Sequence, residues 1–409
     1  MRGAGVLRLA WRHVCHERAR SLILVACLTL TLARPLAVHR RGEHYGAALP
    51  ARAEATPLIV GAKGNRFDLV LKSLYFDAAY GDHVTMADAE VVRERGYGRA
   101  IPLHLRYTAH RLIDGDIGDV GDVASAAVVG TTLAYLDFRG LRVAEGSTPL
   151  FLGDAVVGAR AATRLRVGVG DAVLSDPVSA YDPARSFQLR MPVVGVLAEA
   201  GTPDDDAIFV DLKTAWVIDG IGHGHDDLRR TEDPALVDLG RSGPENVVAT
   251  ARLVEYQEIT PENRRTFHFH GDPAGFPVTS IILLPRDDRM RTIAGGWYNV
   301  RETRELLVPE EVIGELLGLV FQVRRFFDAN FVVVGLTTGL LVGLVLLLSH
   351  RLRRAEFLTL HKIGCARATV FWLEAVELAM LLGASVALAL AGSLLFVHAA
   401  PWLFRALPS

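Results

Sequence analysis

The sequence predicts an α-helical membrane protein with about three transmembrane helices and a large mixed α/β extracytoplasmic domain. Three observations lead there. Apolar residues concentrate in a few long segments near the two ends of the 409-residue chain. A polar stretch of some 270 residues between them carries short β-rich runs bounded by Gly, Pro and Asp. Basic residues gather on one side of the apolar segments.

Half of the residues are hydrophobic, and the mean hydropathy is +0.26. That is high for a soluble chain and low for one lying wholly in lipid, so the apolar excess must be local. The formal charge of −2 leaves no footprint for nucleic acid and no acidic tail. The cysteines, Cys15, Cys27 and Cys365, all lie outside the polar middle, which must therefore fold on its own core without disulfides.

A span needs about 20 mostly apolar residues. Phe331 to Ser349 and Leu378 to Val397 contain no charge. Leu22 to Val38 is a third candidate, interrupted by Arg34 and Pro35. Its arginine-bearing lead is long for a cleaved signal, which favours an anchor. Arginines at positions 2, 8, 12, 18 and 20, and the basic residues between the last two spans, set both regions on the cytoplasmic side. The expected organisation is a cytoplasmic N-terminus and first span over 1–38, an outer domain over 39–308, a stalk over 309–330, and a membrane region over 331–409 with a loop at 350–372.

Within the outer region, strands are expected at Ala127–Gly130, Met191–Leu197, Ala207–Val210 and Val278–Leu284, and helices at Met86–Arg95 and Asp154–Leu165. Thr202 to Asp206 reads as a turn before a strand, and residues 222–275 as a long polar excursion. Pro309-Glu310-Glu311 opens a helix, with Pro in the first turn and acids at the positive end of the dipole. Val312, Ile313, Leu316, Leu317, Val320, Val323 and Phe327 follow at helical spacing, and no proline intervenes before Ser349. One helix of about 40 residues would be roughly 60 Å long.

Gly335, Gly339 and Gly343 recur every four residues and define a face for close approach of another helix, from the first span or from a second copy of the chain. The loop from His350 to Glu374 is basic and also carries Phe357, Leu360 and Ile363, so it reads as a short interfacial helix ended by Gly364, able to dock into a partner's groove. Glu374 and Glu377 open the last span, and pairing with Arg367 or Lys362 is the expected arrangement.

This loop resembles the signature of the FtsX-like/MacB-like permease family: basic residues, Glu356, then Lys362-Ile-Gly364, Arg367 and an acid opening the next span. Thr56 to Gly64, Leu69 to Tyr75, Val129 to Tyr135 and Val193 to Leu197 are similar to the outer domain of the same family. The resemblance implies a MacB-like periplasmic core domain and a bacterial inner-membrane location. It also implies a permease working as a homodimer or heterodimer with a separate ABC ATP-binding subunit, through Arg354, Glu356, Lys362, Gly364 and Arg367. Export or lipoprotein release, or control of a periplasmic partner such as a cell-wall hydrolase, are the roles it brings. Single-unit members carry four spans; three are read here.

No P-loop occurs, so an ATPase is expected on another chain, with no catalytic residue and no cofactor here. Gly61-Ala-Lys-Gly64 reads as a turn. Two His-x-His pairs, His223/His225 and His268/His270, offer imidazoles to a metal ion. They lie far apart in sequence and lack zinc-enzyme spacing, so solvated or structural histidines are the preferred reading and no metal is assigned.

Overall fold

The computed structural model describes residues 3–46, 48–76, 81–112, 124–149, 151–176, 188–225, 256–353, 358–359, 362 and 367–405. The chain divides into two compact units, one of residues 1–49 with 317–409, the other of residues 50–316.

The chain begins with α1 (Gly3–His16) and α2 (Arg18–Gly46). The backbone stays helical across Leu22–Val38 and through Pro35, a tolerance for proline that is common where neighbouring helices re-satisfy the freed groups.

The helix α3 (Ala48–Glu54) crosses the boundary between the units at residue 50. An antiparallel sheet follows, in the order β15 (Arg304–Leu307), β1 (Leu58–Ala62), β14 (Ser280–Pro285), β3 (Gly98–Leu103). β1 is buried along its whole length, as a strand covered on both faces must be. On one face Leu58, Val60, Ile281 and Leu283 meet Ala89 and Val92 of α5 (Met86–Glu94) and Ala294 and Tyr298 of α9 (Asp288–Asn299). Between β1 and α5 runs α4 (Arg66–Tyr75), whose Asn65 N-cap accepts from the N–H groups of Phe67 and Asp68. The short β2 (Val84–Thr85) pairs with β13 (Pro277–Val278).

The second sheet closes on itself. β9 (Arg190–Leu197), β7 (Ala155–Val157), β10 (Ala207–Asp211), β5 (Ser125–Thr131), β4 (Thr108–Arg111) and β8 (Ala172–Ser175) are hydrogen-bonded in that order, and β8 pairs back to β9. The result is a six-stranded barrel, with β6 (Val143–Gly146) added outside on β9. Alternation builds its core: Met191 and Val193 of β9, Ile208 and Val210 of β10, and Ala126 and Val128 of β5 point inward. Val129 and Phe209, one residue out of step, join Ile101, Leu103 and Ile282 of the first sheet in another core. Tyr135 of α6 (Leu133–Arg139) stacks on Phe209 with ring centroids 5.7 Å apart. The barrel is flanked by α7 (Ala159–Leu165) and α8 (Leu212–Ile218), and a two-stranded ribbon pairs β11 (Gly222–His223) with β12 (His268–Phe269).

The expected strands and the helix at Met86 are present, and a 3₁₀ turn at Pro203–Asp206 leads into β10. The expected helix over Asp154–Leu165 is corrected. Its first half is the strand β7, and the helix starts only after Gly158. Ala155-Val-Val fills the barrel wall, and β-branched residues suit a strand. A Cβ at Gly158 would lie 2.3 Å from the Asp204 carbonyl oxygen, so only glycine allows the chain to turn there. Gly61 is likewise a strand residue rather than part of a turn, packed under Leu69, whose Cδ2 would lie 2.3 Å from a Cβ at that position.

The chain ends with α10 (Pro309–Leu352) and the helix Arg367–Arg405, here α11. Residues 309–330 and the apolar segment Phe331–Ser349 thus lie in one uninterrupted helix. α2 and α1 pack along α11. Leu373, Glu377, Leu381, Ser385, Ala389 and Ser393 of α11 are all buried, one every fourth residue. Among the described residues two helical segments are long and apolar enough to cross a membrane, Pro309–Leu352 and Phe371–Ser393.

Candidate functional site

Of the loop residues singled out by sequence, Arg354, Glu356 and Gly364 lie outside the described residues. Lys362 is exposed, and Arg367 opens α11. What is described is the ground on which the loop stands: the end of α10, the first turns of α11, and α1 with the start of α2.

A carboxylate organises this ground. Glu377 is buried, at 3% exposure. A buried charge is costly unless paired, and Glu377 gathers three cationic or ionisable partners. Arg20 of α2 donates to its Oε1. Arg353 Nη1 lies 3.7 Å from its Oε2, and His13 Nε2 of α1 lies 3.8 Å from the same oxygen. One turn earlier, Glu374 Oε1 is 2.9 Å from His350 Nδ1 near the end of α10. Both acids are therefore paired. Arg20, Arg353, His13 and His350 supply the described contacts. Packing of α1 and α2 along α11 brings Arg20 and His13, distant in sequence, to Glu377, and one-dimensional spacing does not reveal this. A cavity of about 260 Å³ lies beside this cluster, lined by Arg20, Arg353, Phe371, Glu374, Glu377 and Leu378.

The glycine face has no neighbour in the described chain. A Cβ placed at Gly335, Gly339 or Gly343 would meet no atom within 4 Å. α10 touches α2 elsewhere, where the hydroxyls of Thr31 and Thr338 lie 3.2 Å apart. The small residues that do permit close packing inside this unit are Ser385 and Ala389 of α11. Thr29 Oγ1 of α2 is 3.4 Å from the Ser385 carbonyl, and Ser385 Oγ is 3.4 Å from the Val25 carbonyl. Sequence reasoning passes over this stripe, although its four-residue spacing is readable in Ser385, Ala389 and Ser393.

In the outer unit the buried polar network is structural. Arg52 of α3 forms a bidentate pair with Asp204, at 2.6 and 2.9 Å. Tyr135 donates to the same carboxylate at 2.8 Å, and Arg52 Nε reaches the Leu74 carbonyl at 2.5 Å. Burial pushes the Asp204 carboxyl upward, but hydrogen bonds and charge from Arg52 outweigh it and hold the group below its ordinary range. Burial pushes the Tyr135 phenol up, so it stays a donor. Among the described residues no nucleophile stands beside a general base in this network.

The four histidines named in the sequence are brought together. β11 and β12 pair with His223 opposite His268, and the rings of His223, His225, His268 and His270 cluster on that ribbon.

Residues 54–251 match the family described as MacB-like periplasmic core domain. No curated protein matches the chain. Similar solved structures include the extracellular domain of the noncanonic ABC-type transporter YknZ from Gram-positive bacteria, at 10% identity and TM-score 0.34, covering 61% of this chain and 98% of that one. The periplasmic region of MacB from Actinobacillus actinomycetemcomitans aligns at 8% identity and TM-score 0.33, covering 64% of this chain and 94% of that one.

Proposed function

We propose that this chain, whose residues 54–251 match the MacB-like periplasmic core domain, is the permease subunit of an ABC transporter that carries motion from a separate ATP-binding subunit to the outer domain. The observation that carries the reading is the joining of that core domain to two long apolar helices, α10 and α11, with a basic loop between them. In α10 none of the described residues of the most apolar stretch is buried within the chain, as suits a helix whose surroundings are lipid and other helices. The basic N-terminus and loop set the cytoplasmic side, and the core domain then lies outside, in a bacterial inner membrane.

In this reading Arg354, Glu356, Lys362, Gly364 and Arg367 form the contact with the ATP-binding subunit. The Glu377 cluster carries a displacement of that loop into α1 and α2, because the buried carboxylate joins Arg353, one residue past the end of α10, to His13 of α1 and Arg20 of α2. α10 is the stalk. Its apolar surface beyond Leu317, including Val320, Phe321, Val323 and Phe327, is exposed in the single chain and would be covered by a second permease copy, with the glycine face as the close-approach surface. Release or export of an apolar or lipid-modified cargo is the role that fits a mechanical rather than channel-forming device.

Co-purification with the ATP-binding subunit encoded beside this chain tests the reading. Glu356→Lys is expected to weaken association by roughly tenfold, about 1.4 kcal/mol, and to abolish stimulation of ATP hydrolysis. Unchanged association with unchanged stimulation would sink it.

A further inference from the structure

The β11–β12 ribbon carries chemistry that transmission of motion does not use. Residues two apart on a strand share a face, and directly opposed residues on paired strands do too. With His223 opposite His268, the i+2 residues His225 and His270 fall on the same side, so all four imidazoles share one face. Ring centroids are 4.7 Å apart for His223 and His268, 4.9 Å for His223 and His270, and 5.1 Å for His225 and His268. The ligand nitrogens of His223, His225 and His268 all lie within 4.8 Å of one another.

The other face explains why the histidines are held there. Phe269 and Phe267 lie over Gly222 and Gly224, where a Cβ would come within 2.6 Å and 2.5 Å of the respective ring carbons. The same two rings pack against the barrel core, and Phe269 meets Trp216 edge-on at 6.5 Å. The aromatic side is thus turned to the core, and the imidazole side away from it. Backbone bonds extend the pairing: His270 N–H donates to the Ile221 carbonyl at 3.1 Å, and Tyr256 N–H to the Gly224 carbonyl at 2.9 Å. His268 Nδ1 lies 3.0 Å from the Thr266 carbonyl. A carbonyl only accepts, so Nδ1 carries the proton and Nε2 keeps its lone pair for a ligand. This is the orientation a metal-binding imidazole takes.

We propose that this face is a Zn²⁺ site, with His223, His225 and His268 as ligands and His270 beside them as the fourth. An all-imidazole set without thiolates takes borderline divalent ions rather than magnesium or calcium. Four ligands match the tetrahedral preference of zinc. Zn–N bonds of about 2.0–2.1 Å place tetrahedral nitrogens about 3.4 Å apart, so the imidazoles close in by side-chain rotation while the backbone stays paired. A bound ion would staple a ribbon too short to be stable alone.

The test uses the full-length chain in detergent, purified without a polyhistidine tag, stripped with chelator and dialysed against zinc sulfate. One zinc per chain is expected by elemental analysis, with a zinc-dependent rise in thermal midpoint. His223→Ala and His268→Ala should each weaken binding by about a hundredfold, and His270→Ala by about tenfold. Should an alanine variant fail to fold, His225→Gln and His270→Gln, with circular dichroism matched to the parent, supply the same comparison. Zinc uptake that is substoichiometric, or unchanged across the variants, overturns the site. Uptake of Cu²⁺ but not Zn²⁺ overturns the choice of ion. None of these outcomes depends on the transport reading, because metal content is measured without the ATP-binding subunit.

Discussion

Asp204 accepts hydrogen bonds from three side chains, Arg52, Tyr135 and Thr202, in a space nearly closed to water. Burial raises its carboxyl, but hydrogen bonds and charge from Arg52, with the Tyr135 hydrogen bond and the Arg139 charge, together hold it below the ordinary range. A depressed folded-state value means that the carboxylate contributes stability above its unfolded value, about 3.9. That contribution is lost as pH falls through the lower, folded value. Asp204→Asn removes the charge and leaves the buried Arg52 guanidinium unmatched, a change expected to cost about 3–5 kcal/mol near neutrality. Denaturant unfolding from pH 7 to pH 3 should show the gap between parent and variant narrowing below about pH 4. A gap independent of pH would show that the ion pair is not what stabilises this corner.

Between residues and domains stand the elements, and here glycines separate packing from vacancy. Gly158 ends β7 and lies against the backbone of Asp204 and Asp205, whose carbonyl oxygens would stand 2.3 and 2.5 Å from a Cβ at that position. Backbone cannot swing aside as a side chain does, so Gly158→Ala is expected to cost at least ~2 kcal/mol in denaturant unfolding. Gly339 meets nothing within 4 Å. Gly339→Leu should leave the unfolding transition of the chain in place while lowering the fraction cross-linked through cysteines placed along α10. A loss of stability without loss of cross-linking would place the glycine face inside the single chain. The same contrast shows what sequence makes legible. The four-residue glycine repeat from Gly335 and the helical spacing of apolar residues from Val312 to Phe327 are one-dimensional and readable, as is the proline-initiated helix opening at Pro309. The Asp154–Leu165 segment reads wrongly as one helix because its strand half is set by barrel partners distant in sequence, β10 and β9. The partners of Glu377 escape sequence reading for the same reason, since Arg20 is brought to it by helix packing and not by spacing. The two His-x-His pairs are visible singly, but their convergence depends on the register of β11 on β12.

At the scale of the whole molecule, the charge asymmetry of the chain makes a claim about sidedness that neither residues nor elements can make alone. Arginines crowd the first 20 residues and the loop before α11, and the α/β unit of residues 50–316 lies in sequence between the first and second apolar segments. If basic segments stay cytoplasmic, Cys15 faces inward and the exposed Glu145 of β6 faces outward. In a chain with Cys27 and Cys365 replaced by alanine, a membrane-impermeant maleimide applied to intact cells should leave Cys15 unlabelled until the membrane is opened. After Cys15→Ala is added, Glu145→Cys should be labelled without permeabilisation. The reverse pattern would put the core domain in the cytoplasm and remove the basis for transmission across the bilayer. It would leave the imidazole face of the ribbon untouched, since that rests on strand register and not on which side of the membrane the ribbon lies.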